Sequence, residues 1–368
     1  MAMIRSVKVA LSKNPYEVHI GDHLLEGCGT AIRKACGGGN RCALVTDSNV
    51  GPLYGSTLQS SLEEAGAKVT RIEVPAGEAS KAFSKVEVVC EAMVEAGLDR
   101  NAFLVALGGG VVGDLAGFAA AIFYRGIPYA QVPTTLLAQV DSSVGGKTGI
   151  NTRGGKNLVG SFHQPKIVIA DTNTLASLSE RTFNEGMSEA IKHGIIRDAG
   201  LVSDARRLAD DDRTNLVARN VAIKAAIVAE DEFETSGVRA LLNFGHTVGH
   251  AIEQAAGYGT FLHGEAISMG IVAALRLSVK KAGLPAGQAE AAINSLKAFS
   301  LPVALPPGFP KASLLAAMRR DKKFREGKIR FVLTRSIGSA FLSEDVTEED
   351  ISRILDDLDS LNFKIGCI

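Results

Sequence analysis

The 368-residue chain contains no tryptophan, only five cysteines and no excess of either charge, since 40 lysines and arginines balance 40 aspartates and glutamates. Zero net charge excludes a general nucleic-acid or membrane-surface binder, because such proteins need surplus cations to neutralise phosphates. The cysteines are odd in number, scattered and without a C-x-x-C pair, which excludes a disulfide framework and a thiolate zinc site. They are Cys28, Cys36, Cys42, Cys90 and Cys367.

Long apolar runs are also missing. The uncharged, apolar-looking runs 115–124 and 126–140 are shorter than the roughly 20 residues of a bilayer-spanning helix. The first ten residues carry Arg5 and Lys8 but lack an apolar core followed by a small-residue cleavage site, so no secretory signal is predicted. We therefore expect a soluble, cytoplasmic protein that binds neither membranes nor nucleic acids.

The first half of the chain alternates short apolar runs with amphipathic ones. Two segments, 58–65 and 83–96, have apolar residues at helical spacing. Alternating strands and helices predict a parallel sheet covered on both faces, with ligands outside the carboxyl ends of its strands. The predicted strands are 41–46, 69–74, 103–107, 129–132 and 167–170.

The pattern changes after about residue 178, where long segments rich in alanine, leucine, isoleucine and charged residues predict helices. Four of the eleven prolines lie within 301–310, which predicts a loop before a helix at 311–320 and a short strand at 329–334. We expect an α/β, Rossmann-like dinucleotide-binding domain over 1–178 and a mostly α-helical domain over 179–368. The other predicted helices are 185–196, 215–230, 245–256, 265–282 and 288–298.

A glycine-rich turn, GGGVVGD at 108–114, follows the predicted strand 103–107 and precedes a small-residue helix. It matches G-x-G-x-x-G, whose glycines let backbone amides and a helix N-terminus approach a pyrophosphate. A tight turn without a ligand is the alternative, because the strand is not the first of the sheet and no acidic residue follows about twenty positions later. The ribose carboxylate would instead be Asp47, just after the strand 41–46.

A second glycine-rich segment, DSSVGGKT at 141–148, nearly forms a P-loop but has Asp141 where the first glycine belongs. Residues 142–170 contain four cations, six glycines and no acidic residue. Glycine backbone combined with cations predicts a cradle for a phosphate or carboxylate, and a solvated basic loop is the alternative. The cations are Lys147, Arg153, Lys156 and Lys166.

Three of the seven histidines, His246, His250 and His263, lie within eighteen residues. His246 and His250 are four residues apart, a spacing that places two zinc or iron ligands on one helical face. A carboxylate could complete such a site, and Glu189 and Glu265 are the candidates. The alternative is a pair of surface or capped histidines, because H-x-x-x-H alone is a weak pattern.

Longer motifs follow one another from about residue 47 to residue 333. They are PAGE at 75–78 with Lys81, the loop 108–114, FYRG at 123–126, PTTLLAQVDSSVGGK at 133–147, GKNLVG at 155–160, GMSEAIK at 186–192, RALLNFGHTVGH at 239–250, HGEA at 263–266 and DKK at 321–323. In this order they closely resemble the 3-dehydroquinate synthase family of sugar-phosphate cyclases, over most of the chain.

The resemblance implies a site residue by residue. Glu189, His246 and His263 would bind a divalent metal, normally Zn2+ with Co2+ as an alternative, and His250 would face the substrate. NAD+ would be held in the first domain by Asp47, Asn49, Glu78, Lys81, Gly109, Gly110, Asp114, Thr134, Thr135, Asp141, Ser142, Lys147 and Lys156. The substrate would contact Arg125, Lys147, Lys156, Asn157, Lys192, Lys224, Arg239, Asn243 and His250, together with Lys322 or Lys323. The implied catalytic residues are Asp141, Lys147, Lys192, Asn243 and His250.

The family's reaction converts 3-deoxy-D-arabino-heptulosonate 7-phosphate (DAHP) to 3-dehydroquinate and phosphate, in the shikimate pathway to aromatic amino acids. The resemblance implies transient oxidation by NAD+, β-elimination of phosphate, reduction by the same cofactor, ring opening and an intramolecular aldol closure. It also implies a homodimer in which Arg125 reaches into the neighbouring subunit.

Three other functions are weighed against this one. Cyclases that act on sedoheptulose phosphate are similar but tend to differ at Asn243 and His250, which both stand here in the synthase form. A metal-dependent polyol dehydrogenase of the glycerol dehydrogenase type shares the fold and a GGG loop, but it has no use for the cations Lys147, Lys156 and Arg239. A regulatory protein that has lost catalysis would not need an intact metal triad.

Overall fold

The computed structural model describes residues 4–319, 324–325 and 328–359. They form two compact units. The first unit runs to Leu178 and also contains Lys224–Ala229, and the second comprises Ser179–Ile223 and the chain from Glu230 onward.

A mostly parallel sheet forms the centre of the first unit. Its strands and those of a separate hairpin are β1 Arg5–Val9, β2 Tyr16–Gly21, β3 Arg41–Asp47, β4 Lys68–Val74, β5 Phe103–Gly108, β6 Tyr129–Pro133, β7 Lys147–Thr152, β8 Gly155–Phe162 and β9 Ile167–Asp171. The sheet has the order β1-β2-β9-β6-β5-β3-β4, and every neighbouring pair is parallel except β1 with β2. The antiparallel hairpin consists of β7 and β8. The helices of this unit are α1 Gly29–Ala35, α2 Ser56–Glu64, α3 Phe83–Glu95 and α4 Gly110–Ile122.

The sheet is buried on both faces, as the continuous apolar runs of its central strands predict. In β3, Leu44 belongs to a cluster that contains Leu58 of α2, whereas its neighbour Val45 belongs to a second cluster that contains Val89 of α3. Successive side chains of a strand point to opposite faces, so Cys42 and Leu44 contribute to one core and Ala43 and Val45 to the other. The predicted parallel sheet covered by helices is confirmed.

The hairpin was not predicted as secondary structure. Its segment was interpreted as an irregular anion cradle because it is rich in glycine and lysine, which are both depleted in strands. The strands β1 and β2 and the short helix α1 were also missed.

Helices dominate the second unit. They are α5 Glu180–Arg197, α6 Ala199–Asp211, α7 Arg213–Glu230, α8 His246–Ala256, α9 His263–Ala282, α10 Ala286–Lys297, α11 Lys311–Arg319 and α12 Glu348–Asp359. A small antiparallel sheet contains β10 Phe324–Arg325, β11 Lys328–Thr334 and β12 Ala340–Thr347. The mostly helical character is confirmed, although α12 and β12 were not predicted, and neither was α6. Asp198 separates it from α5 and caps it by accepting a hydrogen bond from Leu201 N at 3.3 Å.

Glycines bring α8 and α9 into backbone contact. A Cβ on Gly270 of α9 would lie 2.0 Å from the carbonyl oxygen of Gly245, and a Cβ on Gly249 of α8 would lie 2.6 Å from Cδ1 of Ile267. Gly245, which precedes α8, has φ of +81°, a conformation that favours glycine. The two helices that carry the three clustered histidines therefore cross at a distance that side chains at these positions would prevent.

No helix among the described residues has the length and apolarity that a membrane span requires. The four cysteines in the described part of the chain are free thiols, and Cys28, Cys36 and Cys42 are buried. Cys367 lies outside the described residues.

Candidate active site

The residues predicted to bind a dinucleotide lie at the carboxyl ends of three adjacent strands. Asp47 ends β3, Gly109 follows β5 and Thr134 follows β6, and these strands are neighbours in the sheet. Oδ1 of Asp47 accepts hydrogen bonds from the amides of Asn49 and Val50 at 2.9 and 3.0 Å, which fixes the turn after β3. The structure thus places these predicted residues at the edge where parallel sheets bind ligands.

The start of α4 fits a phosphate group. Gly109 is its N-cap and provides no side-chain cap, so the first amides of a thirteen-residue helix keep their hydrogen-bonding capacity for a ligand. A Cβ on Gly109 would lie 3.0 Å from Cγ2 of Thr135, and a Cβ on Gly110 would lie 3.1 Å from Oγ of Ser142. The hydroxyl of Thr134 is buried and has no hydrogen-bond partner among the residues that the structure describes. The close approach of these glycines to their neighbours and the buried hydroxyl of Thr134 are consistent with a dinucleotide-binding site.

An ion pair between a buried lysine and a partly buried aspartate lies beside this edge. Nζ of Lys81, whose side chain is 5% exposed, is 2.6 Å from Oδ2 of Asp114 and 2.5 Å from Oδ1 of Asn157. Burial raises the pKa of Asp114, and the ammonium group of Lys81 opposes that shift. The backbone amide of Asn157, which has φ of +55°, donates a hydrogen bond to Oδ1 of Asn151 at 3.0 Å. The side-chain amide of Asn151 in turn donates to Oε1 of Glu78 at 2.8 Å. The predicted residues Glu78, Lys81, Asp114 and Asn157 therefore belong to one hydrogen-bonded network.

The predicted cations of segment 142–170 are spread along the hairpin. Lys147 starts β7 and pairs with Phe162, whereas Lys156 lies near the start of β8, at the other end of the ladder. Lys166 contacts Oδ1 of Asn14 at 3.3 Å. The backbone alone therefore does not gather these four cations into a single cradle.

Lys224 and Arg125 are two further predicted residues of the first unit, the first placed by its contacts and the second by its backbone conformation. Lys224 donates a hydrogen bond to the carbonyl oxygen of Asp141 at 2.6 Å and forms an ion pair with its carboxylate. Arg125 is exposed and has φ of +68°, directly after Tyr124 with φ of +48°. Two successive left-handed residues that are not glycine are uncommon and often mark functional sites.

In the second unit, Glu189 and two histidines converge. Nε2 of His246 and Nε2 of His263 lie 3.5 and 3.7 Å from Oε1 of Glu189, whose side chain is fully buried. Two ligands about 2.05 Å from a tetrahedral zinc ion are about 3.3 Å apart, so these distances fit a shared divalent metal. Nδ1 of His246 contacts the carbonyl oxygen of Phe244 at 3.2 Å, and Nδ1 of His263 contacts Oε2 of Glu253 at 3.3 Å.

The geometry distinguishes between the two carboxylates that spacing left open. Both oxygens of Glu265 bind Arg181, at 2.6 and 2.9 Å, and Oε2 also accepts a hydrogen bond from the amide of Leu262. Glu189 is the carboxylate beside the histidines. The side chain of His250 lies close to them as well, since ligand atoms of His246, His250 and His263 all lie within 4.8 Å of one another.

The pKa values of the two histidines beside Glu189 are shifted in opposite directions. Burial, together with the positive charge of Lys192, holds the pKa of His246 well below its usual value, so the imidazole is neutral and able to ligate. Burial also acts to lower the pKa of His263, but the hydrogen bond and charge of Glu253 raise it overall. Lys192 is buried one helical turn from Glu189 and forms an ion pair with it.

The remaining predicted residues of the second unit lie around the start of α8. Arg239 is 2% exposed, and its backbone amide donates to Oδ2 of Asp231 at 3.0 Å. Oδ1 of the same aspartate accepts the amides of Thr235 and Ser236 at 2.7 and 3.1 Å. Although burial opposes it, these backbone hydrogen bonds hold the pKa of Asp231 well below its usual value.

Three carboxylates of this unit were not predicted. Asp231 organises the loop before Arg239, Glu234 lies 3.4 Å from Nδ2 of Asn243, and Glu253 contacts His263. A signal for Glu253 existed, because it lies seven residues after His246 and so on the same helical face. Lys322 and Lys323, one of which was predicted to contact substrate, lie outside the described residues.

Comparisons with known proteins find relatives that cover nearly the whole chain. The family models of the 3-dehydroquinate synthase N-terminal and C-terminal domains match residues 71–185 and 186–324. A 3-dehydroquinate synthase of Geobacter metallireducens is 45% identical over 96% of this chain and 98% of its own length.

Two solved structures cover nearly the whole chain. A 2-deoxy-scyllo-inosose synthase complexed with carbaglucose-6-phosphate, NAD+ and Co2+ has a TM-score of 0.86 at 26% identity, over 96% of this chain and 100% of its own. A 2-epi-5-epi-valiolone synthase from Streptomyces hygroscopicus with bound NAD+ and Zn2+ has a TM-score of 0.84 at 29% identity, over 95% and 98%. The fold is thus that of the sugar-phosphate cyclases. Within them, the chain belongs to the 3-dehydroquinate synthase family.

Proposed function

We propose that the chain is the lyase that converts DAHP to 3-dehydroquinate and phosphate, using NAD+ and a divalent metal. The observation that carries this function is the match to the family across both units, at 45% identity over nearly the full length. The chain is less similar to the cyclases of other products, at 26% and 29% identity. The residues Asn243 and His250, which tend to differ in the sedoheptulose phosphate cyclases, keep the synthase form.

The residues of the first unit would hold the dinucleotide and those of the second the metal. The amides at the start of α4, the hydroxyl of Thr134 and the carboxylate of Asp47 would bind the pyrophosphate and a ribose of NAD+. Glu189, His246 and His263 would ligate the metal. When bound, NAD+ accepts and returns a hydride and the metal polarises the hydroxyl at the carbon that is oxidised.

The chain's own residues would bind the substrate and move its protons. Lys192 and Arg239, both nearly fully buried, are strong partners for its carboxylate and phosphate, because desolvated cations bind anions more tightly than exposed ones do. Lys147 and Lys156 of the hairpin, with Asn157 and Lys224, would contribute further anion contacts. The exposed ring of His250, beside the two metal-ligand histidines, is placed to accept or donate a proton.

The neutralising cations favour elimination of phosphate. Negative charge develops on the phosphate oxygen as its bond to carbon breaks, and fixed ammonium groups stabilise that charge without reorganising. A polyol dehydrogenase needs no such groups, so the cation set supports the lyase over the dehydrogenase.

We also propose a homodimer in the cytoplasm. Support for the dimer comes from large apolar side chains of the first unit that are exposed in the single chain, namely Ile122, Tyr124, Leu158 and Phe162. Arg125 directly follows Tyr124 and would enter the partner's site. Sedimentation of the enzyme tests the dimer, and a monomer at micromolar concentration would contradict it. The free thiols in the described chain agree with a reducing compartment.

The function is tested by following inorganic phosphate and absorbance at 340 nm together, after DAHP is added to enzyme loaded with NAD+ and Zn2+. We expect stoichiometric phosphate release without lasting NADH, because the cofactor is reoxidised within the same turnover. His246→Ala should abolish the release, whereas Gln254→Ala, on the exposed side of the same helix, should not.

Absence of phosphate release from DAHP by folded, metal-loaded enzyme would overturn the proposal. Phosphate release from sedoheptulose 7-phosphate but not from DAHP would identify another cyclase. NADH accumulation with glycerol would identify a polyol dehydrogenase.

A further inference from the structure

Each imidazole in the proposed metal site uses one nitrogen toward Glu189 and the other toward a partner. Nε2 of His246 and Nε2 of His263 face Oε1 of Glu189. The second nitrogen of His246 contacts a backbone carbonyl, that of Phe244, whereas the second nitrogen of His263 contacts the side chain of Glu253. The orientation of His263 therefore depends on a side chain that a mutation can remove.

The crossing of α8 and α9 brings Glu253 to that position. Gly245 lies against Gly270, and Gly249 lies against Ile267. The two helices therefore run in opposite directions, and one turn forward along α8 corresponds to about one turn back along α9. One further turn along α8 from Gly249 is Glu253, and the corresponding step back along α9 from Ile267 is His263. The glycine contacts thus set the register in which the carboxylate meets the imidazole.

Burial makes the contact between Glu253 and His263 informative. Glu253 is 4% exposed, although carboxylates are rarely buried unless they bind a specific partner. A carboxylate acceptor at Nδ1 keeps the proton on that nitrogen, which leaves the lone pair on Nε2 for a metal. It also restricts rotation of the ring about its side-chain bonds.

We propose that Glu253 is the positioning residue for His263: it fixes the tautomer and orientation in which His263 binds the divalent metal. The proposal rests on the metal site of the proposed function. It adds a fourth residue, outside the ligand set, on which metal affinity depends.

The test measures metal binding without substrate. Wild type, Glu253→Gln, Glu253→Ala and the control Gln254→Ala are stripped of metal and titrated with Co2+ against a competing chelator, and the Co2+ absorption spectrum is recorded. Removing such an outer partner typically weakens metal binding 10–100-fold. We expect a loss of about 100-fold for Glu253→Ala and about 10-fold for Glu253→Gln, whose amide oxygen can still accept the Nδ1 proton, with an altered Co2+ spectrum in both.

Two comparisons make the result decisive. Gln254→Ala should bind Co2+ within about twofold of wild type, because this neighbour is exposed. Saturating metal should restore phosphate release by Glu253→Gln, because its ligands are intact. Unchanged Co2+ affinity and spectrum in Glu253→Gln and Glu253→Ala would overturn the proposal, even if both variants melt earlier. If Glu253→Ala does not fold, wild-type affinity and spectrum in Glu253→Gln would overturn it alone. A wild type that binds Co2+ but does not convert DAHP would refute the function and leave this inference standing.

Discussion

Gly270→Ala tests whether the glycine crossing of α8 and α9 builds the metal site. The new Cβ would lie 2.0 Å from the carbonyl oxygen of Gly245 and 2.8 Å from the amide nitrogen of Gly249. Both atoms belong to backbone, so no side-chain rotation relieves the clash. Since ordinary contact begins at 3.4 Å, the two backbones must separate locally by about 1.4 Å.

The expected losses of stability and of metal affinity follow from two tolerances, that of the packed helix interface and that of the metal–ligand distances. Overpacking a close-packed interior typically costs about 1–3 kcal/mol, and a backbone clash belongs at the upper end of that range. Metal–ligand distances vary by only about 0.2 Å around their ideal values, so a separation several times larger removes His246 and His263 from a common ion. We expect the free energy of unfolding of Gly270→Ala to be about 3 kcal/mol lower than that of wild type, and its affinity for Co2+ to be at least tenfold weaker.

The assay is denaturant unfolding of the metal-free protein, paired with Co2+ titration against a chelator. Gly249→Ala is an intermediate variant, because its Cβ would chiefly meet the terminal carbon of Ile267, which can rotate. Gly287→Ala is the matched control in α10, where a Cβ meets no atom within 4 Å and should stabilise the protein by about 0.5–1 kcal/mol. The reasoning is refuted if Gly270→Ala binds Co2+ as tightly as Gly287→Ala does.

Further substitutions test other parts of the two units. Asp231→Asn loses one of the two carboxylate oxygens that accept hydrogen bonds from the loop before Arg239. We therefore expect KM for DAHP to rise about tenfold while metal affinity is unchanged. Steady-state kinetics and Co2+ titration measure the two quantities, and an unchanged KM would contradict this expectation. Lys81→Met leaves the partly buried carboxylate of Asp114 without its cation and should lower the free energy of urea unfolding by about 1–3 kcal/mol. Adding Asp114→Asn to this variant should restore most of the loss, and additive losses would argue against the ion pair. Burial raises the pKa of Glu185 to about 7, so metal-free wild type should lose up to about 3 kcal/mol of stability as the pH rises from 4.5 to 7, because the folded protein keeps a proton that the unfolded chain releases. Glu185→Gln should show a flatter stability profile over this range, and identical profiles would contradict the assignment.

The sequence pattern was sufficient for five of the seven strands of the large sheet and for most of the helices. The strands β3 and β5 are continuous apolar runs bounded by turn residues, and such runs identify buried parallel strands well. The hairpin was missed because its strands carry Gly149, Gly160 and exposed polar residues, which lack the alternation of a half-buried strand. Backbone approach at Gly160, where a Cβ would lie 2.0 Å from the carbonyl oxygen of Thr148, explains the glycine there.

The site was predictable only in part. Spacing identified His246 and His250 as neighbours on one face but left two carboxylates open, because no local rule says which distant helix packs against α8. The choice of Glu189 over Glu265 depends on tertiary contacts, among them the ion pair that Glu265 forms with Arg181. Spacing places Glu253 on the same face of α8 as His246, but its contact with His263 was not predictable, since that contact depends on how α8 and α9 cross.

The contact between Lys224 and Asp141 has a consequence for the time course of synthesis. The two residues are 83 positions apart, and a ribosome adds about 5–20 residues per second, so Asp141 precedes its partner by roughly 4–17 seconds. During that interval the chain up to Leu178 has all the strands of its sheet but lacks Lys224–Ala229, which belong to the same compact unit. The nascent first unit therefore completes only after Ser179–Ile223 of the second unit have been synthesised. A fragment that ends at Leu178 corresponds to this incomplete intermediate and lacks part of its own compact unit.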